Sequence, residues 1–500
     1  MALASVLVEA HGLMFPILLL APLFFVFLRH RLSKSVHNLP PGPYPWPVIG
    51  NLPHIGTTAA HVATAKLAQI HGPLISMRLG SQLVIVASSP AAAKEILNTQ
   101  DKILSGRSVP HVSYAKPSER NHVSIGWTYE CTEQWRFLRT LCRNHIFASK
   151  VINDQARIRE AKVHEMLKFL RSKEGTVVNI AQVVFACVFN TLGNLFFSKD
   201  FLSFDECTGE KQMIGIVRRI MELWSTPNIS DLYPILGGLD LQGLHRKADE
   251  CCEELCKTWE STIRKRREGT SDDVRKDKDF LDVLLDNRFS DDQINYLFLE
   301  LVAAGTDTST STVEWAMAEL LKNQETMKKV RDELDREIQT GVLIESQLSS
   351  LTYLDACVKE TLRLHPPAPF LLPRRATEAC KVMNYEIPKD TQVLVNVWAI
   401  GRDPNVWEDP LSFRAERFLN SNLDFKGNCF ELLPFGGGRR LCAGLAMANR
   451  QVQLALASLI YHFEWFLPDG LLPHQLDMNE KFGVTMKKEK PLMVVLRSRN

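Results

Sequence analysis

Cys442 is the residue whose surroundings in the sequence best suit a metal ligand. It stands in PFGGGRRLCAG, residues 434–444, directly before the helix-favouring apolar run LAMANRQVQLALASLIYHF. A thiolate at a helix N-terminus is stabilised by the free backbone N–H groups and by the helix dipole. Consecutive glycines permit positive φ and a close approach to a flat cofactor, and Arg440 is placed to meet an anionic edge. The pattern favours a planar, anionic cofactor that contains a metal, and haem has these properties.

The spacing F-x-x-G-x-R-x-C-x-G resembles the cysteine-ligand loop of the cytochrome P-450 superfamily, the haem-thiolate monooxygenases. The resemblance implies that Cys442 is the axial ligand of the iron in haem b, and that Phe435 and Arg440 contact this cofactor. Two other interpretations compete. A phosphate loop lacks support because neither G-x-x-x-x-G-K-[ST] nor G-x-G-x-x-G is present. A buried cysteine of the core is the other. Ala443 stands where many relatives have proline.

A second candidate segment runs from residue 290 to 322. It opens with the capping pattern S-x-x-Q and contains no proline, which predicts a helix about 50 Å long. Glycine and hydroxyl residues at its centre, GTDTSTST, are poor helix fillers. The sequence AGTDTS resembles the family's oxygen-activating helix, which implies that Thr308 hydrogen-bonds dioxygen and Asp307 relays protons. A polar patch at a helix kink is the alternative.

Glu300 lies one helical turn before Ala304 and two turns before Thr308, so the three residues share a face. Ala304 would leave room for the cofactor. Glu300 is predicted to line the pocket and to attract a cationic amine substrate. The competing interpretation is a carboxylate that is paired within the fold, since many relatives of the family have an acid here whatever their substrate.

Trp135 and Arg139 are one turn apart in the predicted amphipathic helix EQWRFLRTLCRNHIF. By themselves they suit an exposed stacking pair. W-x-x-x-R also resembles the family helix that binds a haem propionate, and Arg374 matches the position of another propionate partner. Arg136 and Arg143 are expected to face outward, toward an acidic electron donor.

Substrate contacts are predicted from two further segments that resemble the substrate-contacting loops of the family. Phe370, Leu371 and Leu372 belong to PFLLPRRATE, and Val484 belongs to a strand-and-turn segment, FGV, near the C-terminus. The resemblance places both segments against the pocket.

The pattern E-x-x-R occurs at Glu360 and Arg363, on a predicted helix that is stopped by two prolines. FRAERF resembles the segment that adds a second arginine, here Arg417, to a buried Glu–Arg–Arg network. Charges removed from water must be multiply paired. These three residues are therefore expected to hold the cofactor-side scaffold without doing chemistry.

Composition bounds the class of protein. The chain has 500 residues, 45% of them hydrophobic, with a formal net charge of +2, which argues against a nucleic-acid surface. Its 11 cysteines show no C-x-x-C pair, and they indicate reduced thiols. Helical patterns dominate, and one hairpin is predicted at residues 74–87. The predicted fold is mainly α, a helical haem-binding body with small β-sheets.

The N-terminus predicts membrane attachment. An apolar run, GLMFPILLLAPLFFVFL, is followed by basic residues, so residues 1–34 are expected to form a transmembrane anchor with the remainder of the chain cytosolic. Residues 35–52, rich in proline, would form a stiff spacer whose apolar side chains dock. Residues 53–500 would form the catalytic domain. The resemblance to microsomal members of the family implies the endoplasmic reticulum membrane as the location of the protein.

The resemblance covers nearly all of the chain and is closest to plant microsomal members, in the alkaloid-oxidising branch that includes N-methylcoclaurine 3'-hydroxylases and corytuberine synthase. It implies oxidation of a benzylisoquinoline-type alkaloid, by aromatic hydroxylation or intramolecular phenol coupling. A hydroxylase of a neutral terpenoid or phenolic and a non-catalytic haem sensor or carrier are the alternatives. Because no flavin or nicotinamide motif is present, electrons are expected from a separate NADPH-dependent reductase.

Overall fold

The computed structural model describes residues 38–113, 123–204, 213–269, 278–338, 341 and 343–499. Helices form most of it, and the predicted mainly helical class with small sheets is confirmed. The helices are α1 Leu52–Ile55, α2 Ala60–His71, α3 Pro90–Lys94, α4 Glu133–Cys142, α5 Ser149–Asp154, α6 Ala156–Ser172, α7 Ile180–Phe197, α8 Met213–Ser225, α9 Ile229–Leu232, α10 Leu244–Arg267, α11 Phe280–Asp286, α12 Asp291–Lys322, α13 Gln324–Glu337, α14 Thr352–Leu364, α15 Val397–Ile400 and α16 Leu445–His462.

Small sheets flank the helical body. The strands are β1 Leu74–Leu79, β2 Gln82–Ala87, β3 Gly106–Arg107, β4 Val177–Asn179, β5 Arg374–Arg375, β6 Cys380–Val382, β7 Tyr385–Ile387, β8 Gln392–Val395, β9 Phe463–Phe466, β10 Glu480–Lys481, β11 Lys487–Lys488 and β12 Met493–Ser498. The largest sheet has the order β1-β2-β8-β5-β3, and a three-stranded sheet has the order β4-β12-β9. The predicted hairpin is confirmed as the antiparallel pair β1–β2, which turns at Gly80 with φ +60°.

The long helix α12 is the axis on which the site is built. Its predicted capping box is present, because the Ser290 hydroxyl accepts from the Gln293 N–H at 3.3 Å and the Gln293 side chain accepts from the Ser290 N–H at 3.0 Å. The helix is 32 residues long and packs along α7 and α16. Two hydrophobic cores fix its position: one includes apolar residues from 294–303 in its first half, and the other includes apolar residues from 313–321 in its second half.

Helix α7 is apolar on every side because it is enclosed by other elements. Within the described residues, it is the one helix long and apolar enough to cross a bilayer, yet 89% of that span is buried inside the protein. It is therefore a core helix. The predicted anchor at residues 1–34 lies outside the described residues. Every cysteine in the described residues is free, as expected for reduced thiols.

The described part of the proline-rich spacer attaches through its backbone. The carbonyl of Pro41 accepts from the Ser76 N–H at 2.9 Å, and Gly50 forms a bridge with strand β1. Trp46 and Ile49 remain 57% and 41% exposed. The expectation that these side chains dock was wrong, because backbone pairing with the edge of a strand leaves them pointing into solvent.

The carboxylate of Glu480 fastens hairpin β10–β11 to the helical body. One oxygen lies 3.2 Å from Nδ1 of His365 and 2.9 Å from the Arg402 guanidinium; the other lies 3.3 Å from Nε2 of His61 and accepts from Trp398 Nε1 at 2.8 Å. Burial alone would raise the pKa of this carboxyl. The hydrogen bonds from the two histidines and the charge of Arg402 outweigh burial and hold that pKa well below its usual range.

Glu480→Gln is expected to lower the free energy of unfolding by about 2–4 kcal/mol at pH 7, because it leaves a buried cation without its partner. A lowered native pKa means that the unfolded chain takes up the proton first as the pH falls. The contribution is therefore complete above about pH 4.3, the unperturbed value, and is lost as the pH falls through the native pKa. Urea unfolding of parent and variant between pH 7 and pH 3 measures this; a difference that stays constant over the range contradicts it. The exposed Glu489→Gln is the control.

Candidate functional site

One cavity lies against the middle of α12. Its walls are formed by α12, the segment 125–127, helices α4, α7, α8, α14 and α16, the segment 367–374, residues 484 and 485, and residues 434–444, here termed the cysteine loop. Its volume is about 310 Å³. Cys442 and Thr308 both line it. The structure thus brings together the two segments that the sequence singled out separately.

Glycine is required in the cysteine loop by packing as well as by backbone conformation. Gly436 and Gly438 have φ of +72° and +65°. A Cβ at Gly438 would overlap the carboxylate of Asp101 and the carbonyl of Leu97. The close approach predicted for this glycine run is therefore made at Gly438 to the protein itself, and Asp101 accepts the Arg439 N–H at 3.1 Å. This fixes the loop on the body of the protein.

Cys442 is held by a tight turn at the start of α16. Its N–H donates to the Phe435 carbonyl at 3.0 Å, and its side chain is exposed to the cavity. Burial raises the pKa of the thiol, while the N–H groups of Gly444 and Leu445 and the charge of Arg139 oppose that rise without cancelling it. The helix N-terminus thus favours the thiolate as predicted, and a bound cation would complete its stabilisation.

Four buried or partly buried arginines surround the same end of the cavity: Arg107, Arg139, Arg374 and Arg440. Within the described residues, only Arg374 has a carboxylate partner, Asp101, at 3.3 Å. Burial, together with the neighbouring guanidinium charges, lowers the pKa of Arg107 and lowers that of Arg440 to about 10. Buried charges are costly unless they are paired, so this group of guanidinium charges at one end of an apolar cavity favours the binding of an anionic ligand.

The predicted propionate partners are engaged with the backbone in this structure. Arg440 donates to the Ser105 and Ile125 carbonyls at 2.9 and 3.0 Å, and its guanidinium lies 4.7 Å from the centroid of the Trp135 ring. Arg139 donates to the Leu441 carbonyl and lines the cavity. Trp135 does not line it, since its Nε1 donates to the Ile125 carbonyl at 2.9 Å. Its predicted propionate contact stays a prediction.

These observations test whether haem suits the site. A sulfur ligand faces the cavity, guanidinium groups at its edge match two carboxylates, and the remaining walls are mostly apolar. A flat, apolar macrocycle with a central metal and an anionic edge satisfies all three features. The residues present therefore fit haem, held by Cys442 and by the arginines around it.

On α12, the two residues predicted to act on oxygen lie on different sides of the helix. Thr308 lines the cavity next to Ala304, and its hydroxyl donates to the Ala304 carbonyl at 2.7 Å. Asp307 is only 3% exposed and does not line the cavity. Its Oδ1 lies 2.8 Å from Nζ of Lys487, on strand β11. Successive helical residues differ by about 100° in direction, which explains the separation.

Glu300 lines the cavity and is also paired within the fold. Its carboxylate accepts the N–H groups of Gly126 and, at 3.2 Å, Ile125. Burial raises the pKa of this carboxyl, against the hydrogen bonds from Ser124 and from the two N–H groups. The geometry favours the structural interpretation left open by the sequence, in which Glu300 fastens the segment 123–128 to α12.

The predicted substrate contacts divide into two groups. Leu371, Leu372 and Val484 line the cavity. Phe370 does not, which disagrees with its predicted contact. It packs against the β1–β2 hairpin, in a cluster with Ile75, and its ring lies 6.1 Å from that of another phenylalanine. Leu371 has φ +56°, which breaks the extended alternation and turns Phe370 away from the cavity.

The cavity wall also contains aromatic residues that sequence reasoning missed. Trp127 and Trp224 are in edge-to-face contact with ring centroids 6.1 Å apart, and Phe196 and Met221 lie in the same wall. Arg107 was missed as well. No local spacing distinguishes these side chains from core residues, since they come from elements far apart in the sequence.

The Glu360 network forms as the sequence suggested, away from the cavity. The carboxylate accepts from Arg363 at 2.7 and 2.8 Å and from Arg417 at 3.0 Å. Glu360 and Arg363 are fully buried. Arg363 also donates to the Pro410 carbonyl at 2.7 Å, so the network joins α14 to the segment that precedes the cysteine loop.

Comparison with known proteins agrees with this geometry. The sequence profile of the family described as "Cytochrome P450" matches residues 40–495. The chain is 49% identical over 478 residues to "Probable (S)-N-methylcoclaurine 3'-hydroxylase isozyme 2" of Coptis japonica, with 95% of this chain and 96% of the relative covered. It is 46% identical to "(S)-N-methylcoclaurine 3'-hydroxylase isozyme 1" of Papaver somniferum, with 95% and 98% covered. It is 44% identical to "Corytuberine synthase" of Coptis japonica, with 96% and 98% covered.

Proposed function

The chain belongs to the cytochrome P450 family, the haem-thiolate monooxygenases, and from that premise we propose that it oxidises a benzylisoquinoline-type alkaloid by aromatic hydroxylation or intramolecular phenol coupling. The predicted family is confirmed. The observation that carries the proposal is a single apolar cavity bordered by Cys442 on one side and Thr308 on another. The names of the similar proteins direct the choice of substrate class.

Haem b, bound through Cys442, supplies oxygen activation and oxidation of the substrate. The chain itself binds the cofactor, binds and orients the substrate, and supplies protons. Arg139, Arg374 and Arg440 hold the anionic edge of the cofactor. The Thr308 hydroxyl borders the cavity and can donate or accept a hydrogen bond there, and Asp307 relays protons from the far side of α12.

The wall of the cavity that contains Trp127 and Trp224 suits an aromatic amine. Trp127 and Trp224 present indole rings, and an indole face attracts cations and stacks on aromatic rings. Glu300 also lines the cavity, with its carboxylate fastened to the backbone N–H groups of Ile125 and Gly126. Leu372 and Val484 complete the apolar lining. These residues support a rigid, aromatic substrate that carries a positively charged nitrogen.

Electrons come, in this proposal, from an NADPH-dependent reductase bound near the cysteine loop. Arg136 and Arg143 are exposed on the segment that contains Arg139, whose guanidinium reaches Leu441. Arg439, in the loop itself, is half exposed. A basic surface beside the ligand cysteine supports docking of an acidic donor.

We further propose that the chain attaches to the endoplasmic reticulum membrane through the predicted N-terminal anchor. Exposed apolar side chains support this: Trp46 and Val48 on the spacer, and Ile235 and Leu239 after α9. The Tyr233 hydroxyl donates to the Val48 carbonyl at 3.0 Å, so the two segments adjoin. An apolar surface of this kind suits insertion into the lipid interface.

Incubation of membranes that contain this protein and a plant NADPH-dependent reductase with a panel of benzylisoquinolines tests the substrate class. We expect an NADPH- and oxygen-dependent product, because the cavity joins the ligand cysteine to an aromatic wall. Mass spectrometry separates a gain of one oxygen, which reports hydroxylation, from a loss of two hydrogens, which reports coupling. Neutral isosteres of the same alkaloids, with carbon in place of the amine nitrogen, are the control.

Two outcomes of that experiment contradict the proposal. Turnover of neutral terpenoids or phenolics with no turnover of the amines would identify the enzyme as a hydroxylase of neutral metabolites. Tight binding of haem with no product from any substrate would indicate a haem sensor or carrier.

A further inference from the structure

Lys487 is placed where it can control the proton-relaying acid of α12. Its Nζ lies 2.8 Å from Oδ1 of Asp307, and the side chains are 22% and 4% exposed. The carboxylate is thus closed off from solvent and does not line the cavity, whereas the Lys487 side chain is partly exposed. Lys487 lies between Asp307 and the outside of the protein.

The second oxygen of Asp307, Oδ2, is buried and has no hydrogen-bond partner among the described residues. Oγ1 of Thr485, two residues before Lys487, is also buried and has no hydrogen-bond partner among the described residues. Thr485 lines the cavity. Buried polar atoms of this kind are usually satisfied by ordered water. Both atoms therefore mark candidate water positions, one at the acid and one at the cavity wall.

The backbone next to Lys487 is held by hydrogen bonds that do not involve its side chain. The Ser311 hydroxyl donates to the Met486 carbonyl at 2.7 Å, and the Met486 N–H donates to the Pro367 carbonyl at 2.8 Å. These bonds tie the hairpin to α12 and to the cavity wall without any contribution from Lys487. Removal of the Lys487 charge should therefore leave the hairpin in place.

Other charged groups nearby do not replace Lys487. Lys488 and Arg218 act on Glu314, about two turns beyond Asp307 along α12. Lys487 also acts on Glu314 at longer range, and Glu314 accepts the Leu492 N–H at 2.8 Å. Within the described residues, Lys487 is the cation recorded in an ion pair with Asp307. A buried carboxylate that loses its single charged partner takes up a proton or turns away.

We propose that Lys487 is a positioning residue for proton delivery: it holds the Asp307 carboxylate in the orientation from which this acid passes protons from outside water to the Thr308 side of α12. In each transfer Asp307 first accepts a proton from water beside Lys487 and then releases that proton toward the cavity, so the carboxylate returns to its starting state. This inference rests on the proposed oxidase function and adds a residue that the sequence did not single out.

The test compares Lys487→Gln, Lys487→Arg and the parent enzyme. Each is incubated with the reductase, NADPH and a benzylisoquinoline that the parent enzyme oxidises. We expect Lys487→Gln to lower the ratio of product formed to NADPH consumed by about tenfold and to increase the solvent isotope effect on product formation. For Lys487→Arg, the ratio of product formed to NADPH consumed should stay within about twofold of the parent's ratio, because arginine restores the cation. Substrate affinity, from the absorbance change on binding, should not change in either variant.

Lys481→Gln is the matched control, because Lys481 lies in the same hairpin and its Nζ is also 2.8 Å from a carboxylate, that of the exposed Glu222. It should behave as the parent. If Lys487→Gln is as well coupled as the parent, or if Lys481→Gln is equally uncoupled, the inference is overturned. A large loss of substrate affinity in Lys487→Gln would overturn it too, since that result indicates a displaced hairpin.

Asp307→Asn and Thr308→Ala separate this inference from the proposed function. If both variants lower the ratio of product formed to NADPH consumed and Lys487→Gln does not, only the role of Lys487 fails. If neither variant lowers that ratio, the proton relay of the proposed function fails. Should Lys487→Gln not fold, Lys487→Met takes its place. Adding the Lys487 substitution to Asp307→Asn should cause no further loss of product per NADPH consumed. An additive loss would overturn the inference.

Discussion

Cys442→Ala is expected to abolish product formation, by about a thousandfold or more, while much of the fold remains. The sulfur is the one side-chain ligand that the cysteine loop presents to the cavity, and the glycine turn and the start of α16 exist to hold it there. Without a thiolate, bound haem lacks the electron donation that favours cleavage of the O–O bond. Product per enzyme, with reductase and NADPH in excess, measures the loss.

Cys429→Ala is the control for this variant, since Cys429 is a free thiol only a few residues before the loop. It should retain the parent's activity. Product formation by Cys442→Ala at more than a few per cent of the parent's rate would mean that another residue serves as the ligand.

Glu360→Gln is expected to have the largest effect on stability, about 3–5 kcal/mol, and to lower the yield of haem-loaded protein severely. The substitution leaves Arg363 fully buried and Arg417 largely buried without their shared anion. Breaking a buried pair from one side costs far more than the pair contributes. Urea unfolding and the haem content of purified membranes are the measurements.

Glu408→Gln is the comparison, because Glu408 is 82% exposed and lies 3.7 Å from an arginine of the same segment. Its effect should stay below about 0.5 kcal/mol. If Glu360→Gln unfolds no more easily than Glu408→Gln, the Glu360 network does not hold the scaffold.

Much of the architecture could be predicted because its signals are local. The capping pair at Ser290 and Gln293 and the absence of proline predict α12 without reference to the rest of the chain. The signal of the cysteine loop is equally local, since its glycines, Arg440 and Cys442 stand within one stretch of 11 residues and Gly438 has the positive φ that glycine permits. The resemblance of these stretches to the P-450 family then identified the cofactor.

Other features depend on which elements meet in space, and no local pattern contains that information. Arg107 and Lys487 lie on short strands, and their importance appears only when the cavity and α12 are placed beside them. Phe370 was assigned to the cavity with its neighbours, but the positive φ of Leu371 turns it toward the β1–β2 hairpin. Asp307 was predicted to relay protons, and helical geometry places it on the side of α12 away from the cavity, next to Lys487.

The central claim is that Cys442 binds haem iron through sulfur. The absorbance spectrum of the purified, reduced, full-length protein under carbon monoxide tests it most directly. The account predicts the strongly red-shifted Soret band that a thiolate ligand produces, and its loss in Cys442→Ala. A band at the position typical of histidine-ligated haem, or one unaffected by the substitution, would contradict the account.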